Sequence, residues 1–182
     1  MQVNPTSFEG LFVLEPKVFG DERGYFFESY NAATLKKHNL DFNWIQDNQS
    51  SSTYGVLRGL HFQKPPYAQT KLIRVLQGEI LDVVVDMRHA SPSFGKSYTI
   101  LLSSDNQLQL LIPKGFAHGF SVLSERADVF YKCDSPYNKE SESGILYNDP
   151  ALAIDWQIPE DKMIVSAKDL VLPAFDPTQI IF

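Results

Sequence analysis

Two short stretches carry side chains that packing alone does not explain: Arg58-Gly59-Leu60-His61-Phe62-Gln63 and, just downstream, Lys71-Leu72-Ile73-Arg74. A histidine and a lysine set in adjacent hydrophobic strands are unusual, because a buried charge is unfavourable unless it is paired or used. Taken singly, His61 is more simply a hydrogen-bonded core histidine, and Lys71 a lysine whose ammonium reaches the rim. Taken together they are harder to dismiss as packing. Strict strand alternation puts Arg58 and His61, three positions apart, on opposite faces. If both enter one pocket the strand must break register, and Gly59 is the expected place for a bulge.

Other segments add polar groups. Pro113-Lys114-Gly115-Phe116-Ala117-His118-Gly119-Phe120 has a P-x-G-x-x-H pattern that resembles the second motif of the cupins, small double-stranded β-barrels in which that histidine usually binds a metal. The first cupin motif normally supplies an H-x-H pair and a glutamate. Here His61-Phe62-Gln63 offers one histidine, and no H-x-H occurs among His38, His61, His89 and His118. So small a donor set does not support a catalytic metal, and no cofactor is expected. His118 then reads as a hydrogen-bond donor in the pocket, or, on its motif alone, as a structural histidine at a turn. In Asp128-Val129-Phe130-Tyr131-Lys132-Cys133, Tyr131 lies on the face opposite Phe130 and Lys132; a buried tyrosine by itself is ordinary packing with a satisfied hydroxyl. Cys133 reads as a small core residue. Arg23 and Arg58 could neutralise a diphosphate, while Glu28, Gln46 and Asn48 could read the edge of a base. The blander reading of Gly20–Glu28 is a charged hairpin turn followed by an edge strand.

The elements that must position these groups are mostly strands. Short apolar or alternating runs recur at Leu11–Leu14, Tyr25–Tyr30, Val56–Phe62, Leu72–Leu76, Ile80–Met87, Ser97–Leu102, Leu108–Ile112, Phe120–Leu123 and Asp128–Lys132, punctuated by Gly and Pro turn signals. Helix signals are few: Asn31–His38, with Asn31 as N-cap, and a single turn at Ser166–Leu170. Many short strands with few helices predict an all-β sandwich or closed barrel, and the need for a pocket favours the barrel. The 182 residues, 43% of them hydrophobic and 21% charged, are expected to form one domain over 1–182. A net charge of −6 makes nucleic acid an unexpected partner, but leaves a phosphorylated small molecule open, since local Lys and Arg decide that. The one cysteine permits no intramolecular disulfide, and no signal-like or membrane-length apolar run occurs. A cytoplasmic protein with no membrane partner is expected.

The ordered set of motifs is similar to that of the dTDP-4-dehydrorhamnose 3,5-epimerases, metal-independent members of the cupin superfamily. The resemblance runs from Phe8 to about Asp169. It includes Asp21-x-Arg23-Gly24-x-Phe26, Gln46-Asp47-Asn48, Arg58–Gln63, Pro65-Pro66-x-Ala68-Gln69-x-Lys71-Leu72 and Val85–Arg88. It continues through Pro113-x-Gly115–Phe120, Tyr131-Lys132-Cys133, Gly144-Ile145-x-Tyr147–Pro150 and Ser166-x-Lys168-Asp169. Departures are Tyr147 where Trp is common and Gln157 where Pro is usual. The resemblance implies a double-stranded β-helix barrel of the cupin, jelly-roll-like kind with a few short helices. It implies a dTDP-4-keto-6-deoxy sugar as substrate, with His61 as base, Asp169 orienting it, Lys71 holding the enolate oxygen and Tyr131 as acid. Arg23, Glu28, Gln46, Asn48, Arg58, His118, Glu142 and Lys168 would bind substrate, and Tyr137 would stack on the thymine. A homodimer whose pocket is partly closed by the partner's N-terminal strands is the implied assembly. Within the same fold, a single-carbon epimerase or a keto-isomerase of a related dTDP-sugar is the alternative. A non-catalytic sugar-nucleotide-binding module would be expected to have lost His61 or Tyr131, and a cupin oxygenase would need the missing ligands.

Overall fold

A computed structural model describes residues 1–182. In chain order the strands are β1 (Gln2–Pro5), β2 (Phe12–Glu15), β3 (Phe19–Asp21), β4 (Gly24–Phe26), β5 (Gln46–Thr53), β6 (Val56–Gln63) and β7 (Lys71–Gln77). They continue with β8 (Glu79–Asp86), β9 (Ser97–Ser103), β10 (Gln109–Ile112), β11 (Phe116–Val122), β12 (Arg126–Cys133), β13 (Glu142–Gly144) and β14 (Ile164–Val165). One helix, α1 (Ala32–Lys37), lies between β4 and β5. Asn31 caps it as expected, its Oδ1 accepting from the Thr34 N–H at 3.0 Å.

Two sheets form the all-β barrel. One is ordered β1-β2-β10-β7-β12-β5; the other is β13-β6-β11-β8-β9, with β14 added in parallel to β6. The inner faces meet in a core of Leu11, Ile73, Val75, Ile80, Val84, Leu110, Ile112, Phe116, Phe120 and Val129. The outer face of the second sheet is also buried: Leu57, Leu60, Phe62, Leu81, Val83 and Val85 pack with Ile145, Leu152 and Trp156 of the C-terminal segment. With both faces covered, β8 reads as a nearly continuous apolar run. On the first sheet, Leu35 of α1 packs with Leu14, Leu72 and Leu111.

Several sequence expectations change in detail. The run at Tyr25–Tyr30 is a strand only over Gly24–Phe26, paired with β3 in a hairpin separate from both sheets. The run at Phe120–Leu123 begins earlier, at Phe116, which puts His118 within a strand and not at a turn. The turn expected at Ser166–Leu170 is a 3-10 helix over Asp169–Val171. Strand β5 was not predicted: Gln-Asp-Asn-Gln-Ser-Ser-Ser-Thr contains no aliphatic or aromatic residue, yet every position pairs with β12.

Candidate active site

The bulge expected at Gly59 is present. Against β11, His61 pairs with His118 and Arg58 with Phe120, so three steps on β6 oppose two on its partner. The extra residue lets Arg58 and His61 share the interior face, while Leu57, Leu60 and Phe62 all join the outer core. Gly59 has φ +125°, and a Cβ there would lie 2.5 Å from the Gly119 Cα, so only glycine fits this crossing.

The cavity that results, about 420 Å³, is lined by Arg58, His61 and His118 from one sheet and by Ser50, Lys71 and Tyr131 from the other. Lys168 and Asp169 come in from the C-terminal segment. An adjoining cavity of about 380 Å³ shares His61, Lys71 and Tyr131 and extends past Gln46, Asn48, Tyr137 and Glu142. His61, Lys71 and Tyr131 therefore sit where the two arms of one groove meet.

His61 Nε2 lies 2.7 Å from Asp169 Oδ1, and Asp169 Oδ2 accepts from the Gly59 N–H at 3.3 Å. The bulge and the aspartate thus hold each other in place. With Nε2–H donating to the carboxylate, the free lone pair of the neutral ring is on Nδ1. Burial pulls the His61 pKa below its usual 6.5; Asp169 opposes this, and the positive charges of Lys71 and Lys168 add to the lowering. A neutral imidazole near pH 7 is the form a general base requires. Lys71 makes no ion pair, its Nζ lies 6.0 Å from the centre of the Tyr131 ring, and burial lowers its pKa. The Tyr131 hydroxyl is pushed above its ordinary 10, first by burial and further by Cys133, with Arg58 opposing, so the phenol keeps its proton.

Across the strand pairing from His61, His118 Nε2 is 2.9 Å from Asp82 Oδ2. Arg58 Nε donates to Ser52 Oγ at 3.1 Å. In the outer arm, Tyr137 donates through its hydroxyl to Glu142 Oε2 at 3.0 Å and through its backbone N–H to Gln46 Oε1 at 3.0 Å. Tyr137 is 56% exposed, open for stacking. Burial alone would raise Glu142, but hydrogen bonds from Lys168 and Tyr137 outweigh it and hold the carboxyl below its usual range.

Of the residues singled out from sequence, all but two meet in this groove. Arg23 and Glu28 do not line it: Arg23 is on the exposed hairpin, 84% exposed and paired with Asp21, and Glu28 lies exposed just beyond β4. Five polar residues at the site were not placed in the binding set from sequence: Gln63, Gln69 and Ser166, which were read only as parts of motifs, and Asp82 and Ser50. Asp82, the partner of His118, was legible as a lone carboxylate inside the apolar run Ile80–Val85. Ser50 had no signal, because its strand reads as a loop.

Fold and groove together define a class, a cupin barrel that presents a histidine and a tyrosine from facing sheets to one polar cavity. Residues 5–177 match the profile of the dTDP-4-dehydrorhamnose 3,5-epimerase family. The Escherichia coli dTDP-4-dehydrorhamnose 3,5-epimerase is 51% identical over 172 residues, covering 93% of this chain and 91% of that one. The Bacillus anthracis enzyme of the same name, with TDP and PPi bound, superposes with a TM-score of 0.92 at 48% identity, over 96% of this chain and 99% of that one. A Legionella pneumophila dTDP-6-deoxy-D-glucose-3,5-epimerase in complex with dTDP-4-keto-L-rhamnose superposes with a TM-score of 0.88 at 45% identity, over 96% and 98%. The chain belongs to the dTDP-4-dehydrorhamnose 3,5-epimerase family. No helix in it is long and apolar enough to cross a membrane.

Proposed function

We propose that the chain epimerises carbons 3 and 5 of dTDP-4-keto-6-deoxyglucose to give dTDP-4-keto-L-rhamnose. The observation that carries this reading is the placement of His61 and Tyr131 on opposite walls of one cavity with Lys71 between the two arms. The ketone at carbon 4 acidifies the hydrogens on both neighbouring carbons. Neutral His61 removes one of them through Nδ1, and the electron pair moves onto the carbon 4 oxygen. The Lys71 ammonium stabilises that oxyanion, a charge present only in the transition state and intermediate. Tyr131 returns a proton to the carbon from the other face, which inverts the centre. Solvent then reprotonates the phenolate and takes the proton from the imidazolium. Asp169 fixes the His61 ring and stabilises its charged form.

Arg58, His118 and Lys168 would hold the sugar and diphosphate, while Gln46, Asn48 and Glu142 would hold the nucleoside beneath the Tyr137 ring. Arg23 and Glu28 would enter the groove of a second copy. Phe19, Tyr25 and Phe26 around them are 54%, 62% and 72% exposed, an apolar hairpin that a partner would cover. A homodimer is the expected mass in light scattering at micromolar concentration, and a monomer would contradict that assignment.

Proton NMR of the enzyme acting on dTDP-4-keto-6-deoxyglucose in D₂O tests the activity. Deuterium at carbons 3 and 5 with inverted product is the expected result. Exchange confined to one carbon would make the chain a single-carbon epimerase, and no exchange would contradict the reading.

A further inference from the structure

Strand β5 turns Gln46, Asn48, Ser50 and Ser52 toward the groove, since alternate residues of a strand share a face. Three of the four have partners within the chain. Gln46 donates to Asn48 Oδ1 at 3.0 Å, Asn48 donates to Cys133 Sγ at 3.7 Å, and Ser52 accepts from Arg58. Ser50 Oγ is buried and makes no hydrogen bond. A buried polar group is nearly always paired, and one left unpaired beside a reaction centre is waiting for a partner from outside the chain. Ser50 pairs with Val129 and Asn48 with Tyr131, so Ser50 is diagonal to Tyr131 on the same face and lines the same cavity, on the wall facing His61. Rotation about one torsion, χ1, presents the hydroxyl to the cavity.

We propose that Ser50 is a specificity-determining contact that hydrogen-bonds the carbon 2 hydroxyl of the bound keto-sugar from the Tyr131 side. The inference rests on the epimerase activity proposed above. A 4-keto-6-deoxyhexose joined to a diphosphate through carbon 1 has two free hydroxyls, on carbons 2 and 3. The carbon 3 hydroxyl changes direction when its centre inverts, so a partner fixed on a strand matches only one epimer. Carbon 2 keeps its configuration throughout. A hydrogen bond there holds the ring in place through both inversions. An analogue lacking that hydroxyl leaves Ser50 as unpaired as it is in the free protein and forgoes the bond, so the site prefers the 2-hydroxy substrate.

The test compares kcat/KM of the wild type and Ser50→Ala on dTDP-4-keto-6-deoxyglucose and on its 2-deoxy analogue, together with melting temperatures. The wild type should favour the 2-hydroxy substrate by roughly tenfold or more, the worth of one well-made hydrogen bond. In Ser50→Ala that preference should shrink toward unity, with the loss falling on the natural substrate and the analogue turned over as before. The melting temperature should hold or rise, because the substitution removes an unpaired buried group. An unchanged preference, or an equal slowing on both substrates, would overturn the proposal by showing that the hydroxyl serves Tyr131 or the strand. If the wild type leaves the 2-hydroxy substrate untouched, the epimerase reading fails first and takes this inference with it.

Discussion

His61 and His118 are opposite each other in the pairing of β6 with β11, and each directs Nε2 at a buried carboxylate, Asp169 at 2.7 Å and Asp82 at 2.9 Å. Their surroundings differ. The His61 side chain is 32% exposed and that of His118 9%. Asp169 comes from a single helical turn in the C-terminal segment, whereas Asp82 is on β8, between β11 and β9, fully buried. His61 has Lys71 and Lys168 close enough to lower its proton affinity. A histidine–aspartate pair is therefore not a base by composition. On the proposed reading it becomes one where the ring reaches the substrate and burial, reinforced by Lys71 and Lys168, keeps it neutral; closed in by strands, the same pair is a fixed hydrogen bond.

The sharpest way to break this comparison is to remove each ring in turn. His61→Asn should abolish both epimerisation and solvent exchange, a fall of roughly 10²–10⁴-fold or more for loss of a general base. His118→Asn should act chiefly on KM, with kcat within about tenfold of wild type, as expected when an interaction common to ground and transition states is lost. Steady-state kinetics on both variants decide the matter, and a His118 variant as inactive as the His61 variant would reverse the assignment.

Asp169→Asn should cost less than loss of His61, because the base itself remains while its tautomer and orientation are no longer fixed. The pH profile sharpens the point. Since His61 must be neutral, kcat/KM in the wild type should fall on acidification through a pKa below 6.5. Asp169 raises that pKa, so its removal should move the acid limb to still lower pH. On the basic side burial lowers Lys71 from 10.5, so loss of its proton, and with it of the charge that holds the enolate, should give a basic limb below that value. The smallest effect should come from a strong chelator. Both histidines already give Nε2 to an aspartate, and dialysis should leave turnover unchanged by assay and elemental analysis; a stoichiometric metal whose loss stops turnover would contradict this.

Much of the site was legible because its residues sit in strands whose apolar pattern is strong. His61, Lys71, His118 and Tyr131 interrupt such runs, although each taken singly also fits ordinary structure, and a bulge at Gly59 followed only if Arg58 and His61 share one pocket; Asp169, Tyr137, Glu142 and Lys168 were legible only through the family resemblance. What escaped was carried by segments with no apolar pattern. Strand β5 is held by pairing with β12 and not by burying aliphatic side chains, so periodicity had nothing to report, and Ser50 was lost with it. The exposed position of Arg23 and Glu28 is a matter of tertiary placement: a Gly-rich charged turn reads the same whether it folds over its own groove or projects from the barrel.

The central claim is that proton removal and proton return belong to different walls of the cavity, and Tyr131→Phe tests it most directly. The substitution removes one hydroxyl and leaves the ring to pack. His61 and Lys71 remain, so the enolate should still form, and any proton returned must come back from the His61 side. In one NMR time course in D₂O, deuterium should continue to enter at carbon 3 or 5, while inverted product falls by roughly 10²–10⁴-fold. Equal loss of exchange and inversion would mean that Tyr131 is needed to form the enolate, and undiminished inversion would mean that the acid is another group; either result contradicts the account.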